Sequence, residues 1–114
     1  MNKERFQLLL TDEALSFIKE QPQQVADKIY YNIHRVALGE LNKELFKKLE
    51  GTEIWEFRTL YNKIAYRLFA FWDTEQDTLV IATHGIIKKT QNKTSKYIAQ
   101  AQRISEEYFN NKEK

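Results

Sequence analysis

The stretch from residue 54 to residue 84 constrains this chain more than any other. Three segments, Ile54–Leu60, Ile64–Trp72 and Thr78–His84, are dense in β-branched and aromatic residues. Such residues suit a pleated, half-buried surface. Asn62-Lys63 and Thr74-Glu75-Gln76-Asp77 separate the segments, and both are made of turn-forming residue types. The expected arrangement is a three-stranded antiparallel meander. Its apolar side needs a cover, and the flanking sequence has to supply it.

The flanks read mainly as helices. Residues 5–10 form a short strand, and Thr11 or Asp12 caps a short helix carrying Ala14, Leu15, Phe17 and Ile18. Pro22 suits the first turn of a second helix. That helix lines up Val25, Ile29, Ile33, Val36 and Ala37 on one face and stops at Gly39. Residues 40–50 read as a short helical turn ending at Gly51. After the meander, His84-Gly85 opens a lysine-rich loop. Thr94 or Ser95 then caps a last helix with Tyr97, Ala101, Ile104 and Tyr108 on one stripe. The order β-α-α-β-β-β-α specifies an α+β domain, one mixed sheet with helices packed on it. Residues 1–110 form the single domain, and 111–114 are a frayed polar tail.

Composition narrows the function classes. With 114 residues the chain fits one domain, and 42% hydrophobic residues give it a core. It has no cysteine and two histidines, His34 and His84, which leaves no thiolate metal site and makes a histidine-rich one unexpected. The charged start lacks the apolar run of a secretory signal. No apolar stretch nears the ~20 residues that span a bilayer. A soluble cytoplasmic protein with no cofactor is expected. The three glycines are too scattered for a phosphate loop.

The net charge is only +2, yet residues 81–114 hold seven basic and three acidic side chains. No Asp or Glu occurs between Thr78 and Ser105, where Lys88, Lys89, Lys93, Lys96 and Arg103 lie. Such a segment is either an electrostatic footprint for a polyanion or a solvated basic face.

Alternation along the strands places charge on one face. A two-residue turn at Asn62-Lys63 sets Arg58 opposite Arg67. A four-residue turn at 74–77 sets Arg67 opposite His84. Arg58, Arg67 and His84 then form a row, sharing a face with Glu56, Phe69 and Phe71. The other face, with Trp55, Phe57, Tyr66, Leu68, Trp72, Leu79 and Ile81, reads as the core. Facing arginines need an anion between them. An RNA phosphate or Glu56 can fill that role. His84 is either a proton carrier, its pKa lowered by nearby cations, or a strand-end histidine bonded to the next turn. Tyr97 either points into this site or joins the helix stripe. Trp55 and Trp72 read as core and His34 as solvated.

Lys48–Gly51, Trp55–Arg58, Tyr66-Arg67, His84-Gly85, Lys88–Gln91 and Ala101–Ile104 together resemble the pattern of the HigB-type, phage-associated branch of the RelE superfamily. The resemblance covers nearly the whole chain. It implies a RelE-like fold and a toxin of a type II toxin–antitoxin pair. It implies an endoribonuclease that cuts mRNA in the ribosome without a metal. The partner it implies is a small helix-turn-helix antitoxin. By the same resemblance, Arg67 contacts the scissile phosphate, Arg58 is a recurrent strand arginine, and Lys88 and Lys89 form the basic turn before the last helix. Tyr97 lies near where some RelE-like toxins keep a catalytic tyrosine. Lys93 and Lys96 are expected to bind RNA, and His84 to transfer a proton. Two other readings stand beside this one: a ParE-like DNA gyrase poison on the same scaffold, and a non-catalytic nucleic-acid-binding domain.

Overall fold

The computed structural model describes residues 4–75, 79–88 and 94–112. Strand β1 is Gln7–Leu10, followed by helices α1 (Asp12–Lys19) and α2 (Gln23–Ala37). Strands β2 (Phe46–Lys48), β3 (Trp55–Tyr61), β4 (Ile64–Trp72) and β5 (Leu79–Lys88) precede helix α3 (Ser95–Lys112). The five strands form one sheet in the order β1-β5-β4-β3-β2. β1 runs parallel to β5 and the other neighbours are antiparallel.

Local chemistry accounts for most boundaries. The Thr11 hydroxyl accepts from the Ala14 amide and caps α1. It also donates to the Thr83 carbonyl at 2.7 Å, tying the helix start to β5. Pro22 is the N-cap of α2, and Gly39 ends it at a φ of +102°. Val25, Ile29, Ile33, Val36 and Ala37 are all buried, as the stripe requires. At the β3–β4 hairpin, Asn62 and Lys63 have φ of 48° and 67°. Positive φ at both residues is what a two-residue type I′ turn needs.

Both faces of the sheet are covered. α1 and α2 lie on the face of Phe57, Tyr66, Leu68, Ala70, Val80 and Ala82. α3 lies on the face of Phe69, Phe71, Ile81 and Ile86. The expectation of a single core face is therefore corrected, as is the placing of Leu79 and Ile81. Both pack on the α3 side. Their placing follows from the second hairpin, where Phe71 pairs with Ile81 and Trp72 with Val80, one residue later than a four-residue turn would give. A register shift follows beside Phe69 and Ala70: Phe69 pairs with His84, but Ala70 pairs with Ala82. Thr83 is the extra residue, and its hydroxyl donates to the Phe69 carbonyl. One inserted residue reverses the facing of everything beyond it.

Three further expectations are corrected. Residues 46–48 form a strand rather than part of a helical turn. Phe46 stacks on Phe57 and Trp55 at ring distances of 4.3 and 4.6 Å, and that cross-strand packing outweighs the local helical pattern. β5 continues to Lys88 where a loop after His84-Gly85 was expected. Gly85 permits this, because a Cβ there would lie 2.2 Å from the Phe17 ring. α3 also runs to Lys112 instead of fraying from Asn111. Buried Asp73 accepts from the Tyr108 hydroxyl at 2.6 Å and from Lys112 Nζ at 2.7 Å, which fastens that end.

Candidate phosphate-binding site

Arg58 on β3 lies directly opposite Arg67 on β4. Their side chains are 25% and 19% exposed, so solvent and ligands reach both. Glu56 lies between them and is nearly buried. Its Oε1 is 2.7 Å from Arg58 Nε and 3.4 Å from Arg67 Nε. Glu56 is thus the structural partner that two facing guanidiniums require. One carboxylate cannot balance two guanidiniums, so about one positive charge is left at the face. Burial and the Arg58 charge push the Arg67 pKa down, and Glu56 pushes it up. The guanidinium nonetheless stays cationic at neutral pH.

β5 completes the face. Ile86, not His84, stands opposite Arg67, and Lys88 stands opposite Ala65 on the same side. The expected row of Arg58, Arg67 and His84 is corrected here: the second hairpin pairs one residue later than a four-residue turn would give, the Thr83 bulge adds one more, and together they move His84 from opposite Arg67 to opposite Phe69. His84 is only 3% exposed. Its ring lies 5.0 Å from that of Phe69 and 6.3 Å from that of Tyr97 on α3. Thr83 Oγ1 is 2.9 Å from Nδ1. Nε2 has no partner of hydrogen-bond geometry among the described residues, with the Tyr97 backbone near it. The pKa of His84 is lowered, mainly by burial, while the Glu13 carboxylate opposes the shift. Neighbouring cations, the expected cause, are not what lowers it.

The remaining candidates gather less tightly. Tyr97 is half-buried on the α3 stripe and packs on the sheet. Lys96 is exposed, with its ammonium 4.9 Å from the centre of the Tyr97 ring. Lys89 and Lys93 lie outside the described residues. His34 is exposed, as expected. Trp55 and Trp72 pack with Phe46 and Phe6 in an aromatic group. Among the described residues no three His, Asp or Glu side chains gather as a metal site. None of the described helices is long and apolar enough to cross a membrane.

Around the free end of β3, Arg58 and Arg67 line a cleft of about 370 Å³ together with Lys28, Asn32, Arg35, Glu44 and Thr59. The α2 residues Lys28, Asn32 and Arg35 were missed by sequence reasoning. One signal was available: Asn32 is a polar residue set into the apolar stripe between Ile29 and Ile33.

The model of the family described as "Phage derived protein Gp49-like (DUF891)" matches residues 16–106 of this chain. The chain belongs to the Gp49-like family. No curated protein matches its sequence. Two solved structures share the fold of this Gp49-like chain. One is a double mutant of the E. coli toxin RelE in the free state, with a TM-score of 0.61 and 16% identity. That match covers 89% of the Gp49-like chain and 97% of the other. The second is the RelBE2 toxin–antitoxin complex from Mycobacterium tuberculosis, with a TM-score of 0.50 and 19% identity. It covers 74% of the Gp49-like chain and 99% of its counterpart. The expected α+β, RelE-like fold is therefore what this family member adopts.

Proposed function

We propose that this Gp49-like protein is a HigB-type toxin of a toxin–antitoxin pair, a cytoplasmic endoribonuclease that cuts mRNA on the ribosome. The observation that carries the proposal is the half-open Arg58–Arg67 pair, which shares a single carboxylate and keeps a net positive charge. The family match, the RelE-like fold and the toxin–antitoxin complex among the similar structures support it. The partner is a small helix-turn-helix antitoxin.

In the proposed reaction the RNA 2′-hydroxyl attacks the adjacent phosphorus and the 5′ oxygen leaves. The excess charge of the transition state falls on the phosphate oxygens. Arg67 and Arg58 meet those oxygens, with Lys88 beside them and Lys89, Lys93 and Lys96 guiding the strand. Tyr97 is placed at the start of α3, next to this face. Proton transfer by His84 requires the first turn of α3 to lift, because its imidazole is sealed beneath Tyr97. The ribosome orients the RNA, which makes activity on free RNA weak.

The test is to induce the protein and map RNA ends by primer extension. New ends within translated codons are expected. Growth arrest with unchanged ends contradicts the proposal, and a DNA supercoiling assay then checks the gyrase reading. The sealed position of His84 favours a second reading, RNA binding without cleavage. That reading predicts salt-sensitive RNA binding with neither arrest nor new ends.

A further inference from the structure

The cleft at the free end of β3 extends past the arginine pair. β2 covers β3 from Trp55 to Phe57, the Arg58 amide still donates to the Leu45 carbonyl at 2.7 Å, and the strand pairing on that side goes no further among the described residues. α2 forms the other wall. The resulting space of about 370 Å³ lies in the size range of small-ligand sites, roughly 300–1,000 Å³. Its lining carries four cationic side chains, Lys28, Arg35, Arg58 and Arg67, against one acidic one, Glu44. Arg35 is held by Glu40, and Arg58 and Arg67 share Glu56. Lys28 rests above the Tyr31 ring at 5.5 Å.

One buried polar group in this lining is unusual. Asn32 is 4% exposed, and its Nδ2 donates to the Thr59 hydroxyl at 3.2 Å. Its Oδ1 has no hydrogen-bond partner among the described residues. A buried amide with one end unpaired is costly, and such groups call for an explanation. The apolar stripe of α2 would be continuous with leucine at this position. A carboxamide also has the donor and acceptor pattern needed to read the edge of a nucleobase. Oδ1 is covered in this structure, and the terminal torsion of asparagine is soft. Asn32 is among the residues that line the cleft, and base reading requires its amide to swing away from Thr59.

We propose that this cleft takes the nucleotide next to the one whose phosphate Arg58 and Arg67 hold, with Asn32 reading its base and Lys28 meeting its backbone. The proposal rests on the RNA-cleavage reading and adds to it a source of sequence preference. Arg58 and Arg67 belong to the α3 face and Asn32 and Lys28 to the α2 side, and the cleft joins them around the edge of β3, so a strand of RNA that rounds this edge meets both.

Two measurements on the full chain separate this proposal from the reading beneath it. In the first, isotope-labelled protein is titrated with short single-stranded RNAs that differ in base, and the Asn32 side-chain NH2 signals are followed. Base-dependent shifts there are expected, even if no cleavage is ever seen. RNA that shifts the arginine face and leaves the Asn32 NH2 signals in place overturns the proposal. RNA that shifts neither overturns it as well. In the second, Asn32→Leu and Lys28→Ala are compared with the parent on ribosomes carrying a set of codons. Asn32→Leu is expected to lose about tenfold of base discrimination at one flanking position. Lys28→Ala is expected to raise KM about threefold, with kcat unchanged and a shallower salt dependence. Parent-like preference and KM in both variants, with melting temperatures unchanged, overturn the proposal. A parent protein that binds RNA at Asn32 but never cuts it overturns the nuclease reading alone.

Discussion

Glu56 and His84 show how single buried groups set the character of this face. Glu56 offsets the repulsion between Arg58 and Arg67, so removing it leaves facing cations in contact. Glu56→Ala should cost about 2–3 kcal/mol of stability, below the value for a fully buried pair because both arginines are partly solvated. Urea denaturation measures this, and a loss under 0.5 kcal/mol, on the order of an ordinary surface change, contradicts the bridging role. His84 has its pKa lowered by burial, so the unfolded chain takes up the proton first. Its contribution to stability is therefore complete at neutral pH and is lost as pH falls through the ordinary histidine value near 6.5. The slope is at most about 1.4 kcal/mol per pH unit for one proton. His84→Gln should flatten stability between neutral and mildly acidic pH. Equal slopes in the parent and His84→Gln proteins count against the buried, neutral imidazole.

At the scale of elements, α3 closes the second face of the sheet and is fastened at its far end. Asp73 takes hydrogen bonds from Tyr108 and Lys112, and Lys112 also reaches Glu75 at 3.1 Å. The bond to Asp73 is the first cause of the raised Tyr108 pKa. Asp73→Ala should lower stability by about 2–3 kcal/mol and speed amide exchange along α3 more than along α2. Uniform exchange would show that the helix is held by its apolar stripe alone. Gly85 is the other constrained position. A methyl group there meets Phe17, so Gly85→Ala should cost about 1–3 kcal/mol through overpacking. Calorimetry on Gly85→Ala with Phe17→Leu tests the cause, since the smaller ring-free side chain should restore part of the loss.

Much of this was legible in the sequence where chemistry is local. Asn62-Lys63 fixed the hairpin and hence the Arg58–Arg67 pairing. The stripe on α2 and the stop at Gly39 followed from periodicity and glycine. What was not legible depended on partners distant in sequence. The Thr83 bulge is stabilised by Thr11 and the Phe69 carbonyl, and no turn pattern announces it. Together with a hairpin that pairs one residue later than expected, it moved His84 from opposite Arg67 to opposite Phe69, beneath Tyr97 of α3. Strand β2 exists because Phe46 meets Phe57 and Trp55, a contact that helical spacing conceals. Asn32 was visible as a polar interruption, but its place beside the arginines required the fold.

For the molecule as a whole, the proposed function requires that two facing arginines keep enough positive charge, after sharing one carboxylate, to stabilise a phosphodiester as it is cut. The RelE-like fold sets those side chains opposite each other on paired strands. The most direct test is the rate at which the parent and Arg67→Ala proteins cut an end-labelled mRNA on purified ribosomes, with circular dichroism confirming that both are folded. The account predicts a loss of about a hundredfold, equivalent to about 3 kcal/mol of transition-state stabilisation. An Arg67→Ala protein that is folded and cuts at the parent rate would contradict it.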